Sequence, residues 1–281
     1  MRRLLSLGIA VLVWGALASP GAQIVALGRA DSLKFAVIGD NGTGGRPQFE
    51  VGQQMAALRA TFPFEFVLMM GDNLYNAQDF AAKFERPYAA LVAAGVKFYA
   101  AIGNHDDPQA QARYPAFNMN GARYYTFAKR NVRFVVADTN FLDQLQLGWL
   151  EHTLKSASEQ WKIVYFHHPL YSNGDRHGSN VELRVRLEPL LVANGVDVVM
   201  SGHDHIYERI RPQKGITYFV IGSSGQLRRG GITPSPITAL GYADDQAFTL
   251  MEVAGSELIF ETRSRTGRTV DSGVIYSRRT S

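Results

Sequence analysis

Residues 33–42 read LKFAVIGDNG, and this stretch decides the fold class. Its first six residues, Leu33–Ile38, are almost all apolar, which is typical of a strand that is buried on both faces in a parallel sheet. Asp40 follows this strand directly, and ligands bind at the carboxyl ends of the strands in open α/β sheets. A lone Gly-Asp after a strand is usually a turn, so Asp40 is informative only if other strands end in the same way.

Four more apolar runs do end in side chains that bind metals. They lead into Gly71-Asp72-Asn73-Leu74-Tyr75, Gly103-Asn104-His105, His167 and Gly202-His203-Asp204-His205. Carboxylate, amide, phenol and imidazole ligands suit two adjacent transition metals, and a two-metal site of this kind hydrolyses phosphate esters. The two histidines of the last block would point the same way in an extended chain, where alternate residues share a face. Each block alone is weak evidence, but packing does not explain five of them in this order.

Strand-like and helical patterns alternate along the chain, which predicts largely parallel sheets with crossover helices. The predicted helices are 49–60, 79–94 with a break at Pro87, 144–156 and 181–194. The predicted strands are 33–38, 66–70, 97–102, 124–127, 132–137, 161–166, 196–200, 217–221, 248–253, 257–262 and 274–276. The Gly-, Pro- and Ser-containing stretch 223–243 is predicted to be a surface loop. No linker or repeat divides the chain, so we expect a single domain over residues 31–281.

Residues 1–22 are typical of a secretory signal peptide. Arg2 and Arg3 precede the apolar run Leu4–Leu17, which is shorter than the roughly 20 residues of a membrane-spanning helix. We expect a secreted or periplasmic protein without stable membrane insertion after cleavage; an uncleaved anchor is the alternative. The chain has no cysteine, so disulfides cannot stabilise an exported form. Without the two arginines, 27 basic residues face 25 acidic ones, and charge does not indicate nucleic-acid binding.

The five blocks together resemble the signature motifs of the purple acid phosphatases, which belong to the calcineurin-like metallophosphoesterases. The resemblance covers roughly residues 33–222. The wider superfamily has a histidine two residues after the first aspartate, where this chain has Gly42. Purple acid phosphatases lack that histidine and have a tyrosine three residues after the second aspartate, where this chain has Tyr75. This paired loss and gain is the most specific observation in the sequence.

The resemblance implies both a fold and a pair of metal ions. The fold is an α/β structure in which two mixed sheets form a β-sandwich flanked by helices, with the dimetal site at one sheet edge. A ferric ion would be held by Asp40, Tyr75 and His205. A divalent iron, zinc or manganese ion would be held by Asn104, His167 and His203. Asp72 would bridge the two ions, and His168, beside His167, is predicted to be structural. A phenolate is a hard anionic donor and therefore favours Fe(III).

The implied reaction is the hydrolysis of phosphate monoesters through attack of a metal-bound water or hydroxide at the Fe(III)–M(II) centre. His105 resembles the phosphate-contacting, proton-donating histidine of the family, and His177 resembles a second pocket histidine that protonates the leaving group. The expected substrates are small phosphorylated molecules. The alternative on the same site is a phosphodiesterase, or a hydrolase of nucleotides or pyrophosphates. The shape of the loops 107–122 and 223–243, which are expected to form the pocket wall, would decide between these activities. A catalytically silent binding protein predicts eroded ligand positions, and none is eroded here.

Overall fold

Two mixed β-sheets pack against each other, and helices cover their outer faces. The computed structural model describes residues 27–279, so the predicted signal peptide lies outside the described residues. In chain order the strands are β1 (Leu33–Ile38), β2 (Phe66–Met69), β3 (Lys97–Ala100), β4 (Tyr125–Lys129), β5 (Val132–Val136), β6 (Trp161–Tyr165), β7 (Val198–Ser201), β8 (Tyr207–Gln213), β9 (Ile216–Ile221), β10 (Thr238–Tyr242), β11 (Ala247–Ala254), β12 (Glu257–Ser264) and β13 (Thr269–Tyr276). The α-helices are α1 (Arg46–Leu58), α2 (Ala89–Ala93), α3 (Pro108–Arg113), α4 (Gln144–Ser156) and α5 (Val181–Ala193).

The strand order brings the ends of the parallel strands together. The first sheet has the order β13-β12-β11-β1-β2-β3, and the second has the order β10-β8-β9-β7-β6-β5-β4. Strands β1, β2 and β3 are parallel, and so are β5, β6, β7 and β9. Parallel neighbours need a crossover connection, which α1 supplies after β1, α4 after β5 and α5 after β6. The expected architecture of two mixed sheets flanked by helices is therefore confirmed.

The main core lies between the two sheets. Phe35 and Phe66 of the first sheet stack with their ring centroids 5.3 Å apart. Phe134 of the second sheet meets both rings edge-on, at 5.4 and 5.5 Å. Separate apolar clusters join α1 to the outer face of the first sheet, and α4 and α5 to the outer face of the second. The central strands are thus buried on both faces, as the apolar run at Leu33–Ile38 predicts.

Some predicted elements agree with the structure and one agrees only in part. Helix α4 has the predicted bounds, and Pro87 separates a π-helical turn, Ala81–Glu85, from α2. The predicted surface loop at 223–243 is a loop from 223 to 237, but its start is buried at Ser223 and Ser224, and its end forms β10, which pairs with β8. Strand β8 escapes the sequence analysis because it is rich in charged residues and contains a proline, which is unusual within a strand.

Among the helices formed by residues 27–279, none has both the length and the apolar character needed to span a membrane. The limits of the predicted domain, residues 31 and 281, stay predictions.

Candidate metal centre

The ends of β1, β2, β3, β6 and β7 meet at one place, where the two sheets adjoin. Each of these strands delivers at least one of the predicted ligands within a few residues of its carboxyl end. The seven side chains form two groups of donors with Asp72 between them. The site therefore lies between the edges of both sheets, rather than at the edge of one sheet.

The first group consists of Asp40, Tyr75 and His205. The Tyr75 hydroxyl donates to Asp40 Oδ1 at 3.1 Å and lies 3.1 Å from His205 Nε2. His205 Nε2 is 3.5 Å from the same carboxylate oxygen. Asp40 is fully buried, and Tyr75 is almost so. A carboxylate, a phenol and an imidazole thus converge on one point and could hold a metal ion.

The second group consists of Asn104, His167 and His203. His167 Nε2 lies 3.0 Å from Asn104 Oδ1 and 3.2 Å from His203 Nδ1. Asp72 connects this group to the first one, because its Oδ1 is 3.5 Å from His167 Nε2. One ligand atom each from Asp40, Asp72 and His167 lies within 4.8 Å of the others. This is the arrangement that a bridging carboxylate between two ions requires.

Hydrogen bonds behind the site fix the orientation of these donors. His167 Nδ1 lies 2.9 Å from the carbonyl of Met70, so this nitrogen carries the proton and the lone pair of Nε2 points to the site. The backbone N–H of His105 donates to Asp72 Oδ1 at 2.9 Å. The backbone N–H of His203 donates to Asp40 Oδ2 at 2.9 Å. Each carboxylate is therefore held by a neighbouring ligand loop.

Three of the candidate ligands have a left-handed backbone, which is uncommon for residues other than glycine. The φ angles are 50° at Asp40, 51° at Asp72 and 71° at His203. Such conformations cost free energy and cluster at functional sites. His203 and His205 are consequently not alternate residues of an extended strand. The two side chains diverge, so that His203 contacts His167 and His205 contacts Tyr75.

Gly42 explains why the tyrosine replaces a histidine at this site. A Cβ atom on Gly42 would lie 1.9 Å from the carbonyl oxygen of Asn73 and 2.4 Å from the amide nitrogen of Leu74. Two backbone hydrogen bonds hold Gly42 against the 72–75 segment: Tyr75 N donates to Gly42 O at 2.9 Å, and Gly42 N donates to Asp72 O at 3.2 Å. Any side chain at position 42 would push away the segment that carries Tyr75. A glycine at position 42 and a tyrosine ligand at position 75 are therefore linked, because only glycine leaves room for the segment that carries Tyr75.

The electrostatics of the site call for a cation. Burial, followed by the nearby charge of Asp72, raises the pKa of Asp40 well above its usual range. Burial and the Asp40 carboxylate raise the pKa of Tyr75 far above its ordinary value. Burial lowers the pKa of both His167 and His203, which keeps the imidazoles in the neutral form that binds metals. Buried carboxylates without a partner are costly, and a bound cation would compensate them.

The two predicted catalytic histidines lie on the wall of a cavity of about 580 Å³ that opens over the donors. The ring of His105 is 4.9 Å from the ring of Tyr75, and the ring of His177 is 4.0 Å from that of His203. Both histidines are exposed. All nine residues singled out from the sequence therefore come together around one space.

Asp204 and Asp106 hold this site together, although the sequence analysis gives neither a role. Asp204 is buried and accepts hydrogen bonds from Ser172 Oγ at 2.6 Å and from the backbone N–H of His177 at 3.2 Å. Asp106 accepts from the backbone N–H groups of Gly103 at 2.8 Å and Leu74 at 3.0 Å. The sequence offers one signal for Asp204, namely that this charged residue lies between the two candidate ligands His203 and His205. For Asp106 there is none, because Leu74, the partner that joins it to the segment of Tyr75, lies on another loop.

His168 and Asp107 also have definite places. The Nδ1 of His168 is 2.8 Å from Thr139 Oγ1, and its ring is 4.5 Å from the ring of His203. With His167 and His203 it forms a second group that could hold a metal. Asp107 caps α3, since its side chain accepts from the N–H groups of Gln109 and Ala110.

Comparison with known proteins places this chain among phosphatases. A sequence model of the family described as calcineurin-like phosphoesterase matches residues 33–207, which is more than half of the chain. Purple acid phosphatase 17 of Arabidopsis thaliana is 30% identical over 260 residues, which cover 77% of this chain and 76% of that protein. Tartrate-resistant acid phosphatase type 5 of Homo sapiens is 26% identical over 318 residues, which cover 90% and 96%.

Two solved structures share the fold. One is GAP50, the anchor in the inner membrane complex of Plasmodium, with a TM-score of 0.76, 19% identity, and coverage of 89% of this chain and 90% of that one. The other is the purple acid phosphatase PPD1 from yellow lupin (Lupinus luteus) seeds, with a TM-score of 0.71, 20% identity, and coverage of 89% and 54%. Identities this low show the fold alone. Together with the curated relatives, the family match shows that the chain belongs to the calcineurin-like phosphoesterases, among the purple acid phosphatases, and is a metal-dependent hydrolase of phosphoric esters.

Proposed function

We propose that this protein is an exported phosphatase that hydrolyses phosphate monoesters at a binuclear Fe(III)–M(II) centre. The observation that carries the proposal is the convergence of two complementary donor groups on either side of Asp72. One group contains a buried phenol, and the other contains only neutral nitrogen and amide donors. This asymmetry suits two different metals, a hard trivalent ion and a softer divalent one.

The ligand assignment follows from these groups. The ferric ion would be held by Asp40, Tyr75 and His205. The divalent ion, which is iron, zinc or manganese, would be held by Asn104, His167 and His203. Asp72 would bridge them. The residues fit such a pair, because within residues 27–279 the two buried carboxylates have no basic side chain within 4 Å other than imidazoles, and because the His167 tautomer presents its lone pair to the site.

The metals and the protein side chains would have separate tasks. When bound, the metal pair would lower the pKa of a water molecule and neutralise charge on the phosphoryl oxygens. His105, next to ligand Asn104, is placed to donate a hydrogen bond to a phosphate oxygen. His177 is placed to give a proton to the leaving oxygen. Asp204 would act as a positioning residue, because it holds the loop that carries His177.

Two other functions remain to be distinguished by experiment. A phosphodiesterase or a hydrolase of nucleotides or pyrophosphates would use the same metals and differ only in the wall of the cavity. A silent binding protein is conceivable because GAP50, described as an anchor, has the same fold, and a fold does not establish a function. The complete set of ligand donors favours catalysis for this chain.

Export rests on the sequence of residues 1–22, with its arginine pair, apolar run and small residues. The absence of cysteine means that a folded exported form would depend on its core and its metals.

Three measurements on protein purified without chelators test the proposal. They are the metal content, the visible absorption spectrum and the rate of hydrolysis of p-nitrophenyl phosphate. We expect about two metal ions per chain, at least one of them iron, a broad visible absorption band and phosphatase activity. Two metals without iron and without a band would move the protein towards a colourless phosphoesterase. Protein that takes up no metal, or is fully metallated and inactive, would contradict the proposal.

A further inference from the structure

Two arginines, Arg176 and Arg228, line the same cavity as the candidate ligands. Among residues 27–279 neither guanidinium forms an ion pair or a hydrogen bond with another residue, whereas Arg209, Arg265 and Arg186 do. Asp72 is the one carboxylate among the residues that line the cavity, and it faces the proposed metals. The wall therefore carries two positive charges that no protein group neutralises.

The loop that carries Arg228 is fixed to the metal centre itself. The N–H of Arg228 donates to the carbonyl of His205 at 2.9 Å, and the N–H of Gln226 donates to the carbonyl of Asp40 at 2.9 Å. Both acceptors belong to candidate ligands of the ferric ion. The backbone of Arg228 thus has a defined position relative to the site of that ion. When an anion binds, only the side-chain rotamer of Arg228 would have to become ordered.

The loop that carries Arg176 is joined to the first loop. Gly174 and Ile232 form an antiparallel bridge, and the N–H of Asp175 donates to the carbonyl of Gly231 at 3.1 Å. The Asp175 carboxylate, the nearest acidic group in sequence, accepts from Thr233 Oγ1 at 2.7 Å and does not line the cavity. The two arginines therefore stand on neighbouring, hydrogen-bonded loops of one wall.

Both arginines lie in the lining of the cavity that Tyr75, His203 and His205 also line. Two like charges on one wall repel each other, so an anion between them would be favoured. Guanidinium groups form strong, often bidentate hydrogen bonds with phosphate oxygens.

We propose that Arg176 and Arg228 form a subsite for a second anionic group of the substrate, next to the phosphoryl group that is hydrolysed. This inference rests on the dimetal phosphatase of the proposed function and selects its nucleotide alternative over simple monoesters. The preferred substrates are then phosphoanhydrides such as nucleoside diphosphates, in which the metal centre takes the terminal phosphate and the arginines take the inner one.

The reaction is balanced without a further reactant. For ADP, the oxygen of water forms a bond to the β-phosphorus, and the bond from that phosphorus to the bridging oxygen breaks. The bridging oxygen leaves with the electron pair on AMP, where the arginines would stabilise its charge. One proton of the water stays on the released phosphate and the other passes to solvent.

The test compares kcat/KM for ADP with kcat/KM for AMP, which has the same nucleoside but no second phosphate. We expect Arg176→Gln and Arg228→Gln each to lower the ADP/AMP ratio by roughly 10-fold, since a hydrogen bond to a charged group is lost. Arg176→Lys and Arg228→Lys keep the charge and should lower the ratio less. Arg229→Gln is the matched control, because Arg229 is exposed and does not line the cavity, and it should leave the ratio unchanged.

Calorimetry with methylene bisphosphonate and inorganic phosphate gives the same comparison without turnover. A ratio within about 2-fold of wild type in both glutamine variants, or an equal fall in Arg229→Gln, would overturn the subsite. If the iron- and zinc-loaded wild type hydrolyses neither AMP nor p-nitrophenyl phosphate, the proposed function fails. The bisphosphonate titrations would still decide the subsite in that case.

Discussion

Replacing Gly42 with alanine tests the link between this glycine and the tyrosine ligand. The added Cβ would clash with one peptide group, at 1.9 Å from Asn73 O, 2.1 Å from Asn73 C and 2.4 Å from Leu74 N. Restoring an ordinary contact of roughly 3.5 Å requires the two segments to separate by about 1.6 Å. Because the contact atoms are backbone, no side-chain rotation can relieve the clash.

The expected destabilisation can be worked out from what this separation breaks. Both hydrogen bonds between Gly42 and the 72–75 segment would exceed hydrogen-bonding distance, at a cost of about 1 kcal/mol each. Overpacking typically adds about 1–3 kcal/mol. We therefore expect a loss of about 3–5 kcal/mol in the free energy of unfolding, which for a chain of this size lowers Tm by roughly 6–20 °C. Tyr75 would also move out of its 3.1 Å contacts with Asp40 and His205.

The assay measures Tm of the chelator-treated protein, so that packing is separated from metal binding, and then metal content and the visible band after reloading. Gly148→Ala is the matched control, because nothing lies within 4 Å of the new Cβ and the residue is inside α4. It should stabilise the protein by about 0.5–1 kcal/mol, the usual gain for alanine over glycine in a helix. A Gly42→Ala protein with wild-type Tm, full metal content and an unchanged band would refute the reasoning.

Four other substitutions test individual assignments. Asp72→Ala should remove both metals, because the carboxylate faces both donor groups; a full metal complement in elemental analysis would contradict the bridge. Tyr75→Phe should abolish the visible band while circular dichroism shows an intact fold, and persistence of the band would mean that this phenol does not bind iron. His105→Ala should keep both metals and lower kcat by roughly 10²-fold; near-normal kcat would remove it from the mechanism. Asp204→Asn should loosen the loop of His177 and lower kcat by about 10-fold with metal content unchanged, and the assignment fails if kcat does not change.

The local sequence predicted much of the site because each ligand follows a buried strand directly. In a parallel sheet the carboxyl ends of strands share an edge, so Asp40 and Asp72 could be grouped without knowledge of the fold, whereas His167 follows β6 of the other sheet. The same reasoning missed β8 and β10. Strand β8 contains Glu208, a charged residue that is fully buried, and only its distant partners Asn173 and Thr238 make that burial tolerable.

The sequence by itself thus determined the α/β class, the strands that end at the site, and the identity of the donor atoms, because these depend on hydrophobic periodicity and on residues adjacent in the chain. Only the tertiary structure showed that His203 lies against His167 and His205 against Tyr75, since the two side chains diverge through a left-handed backbone at His203. It also decided that position 42 must be glycine and that Arg176 and Arg228 stand on one wall. Each of these depends on a contact between segments far apart in sequence, and local patterns carry no information about such contacts.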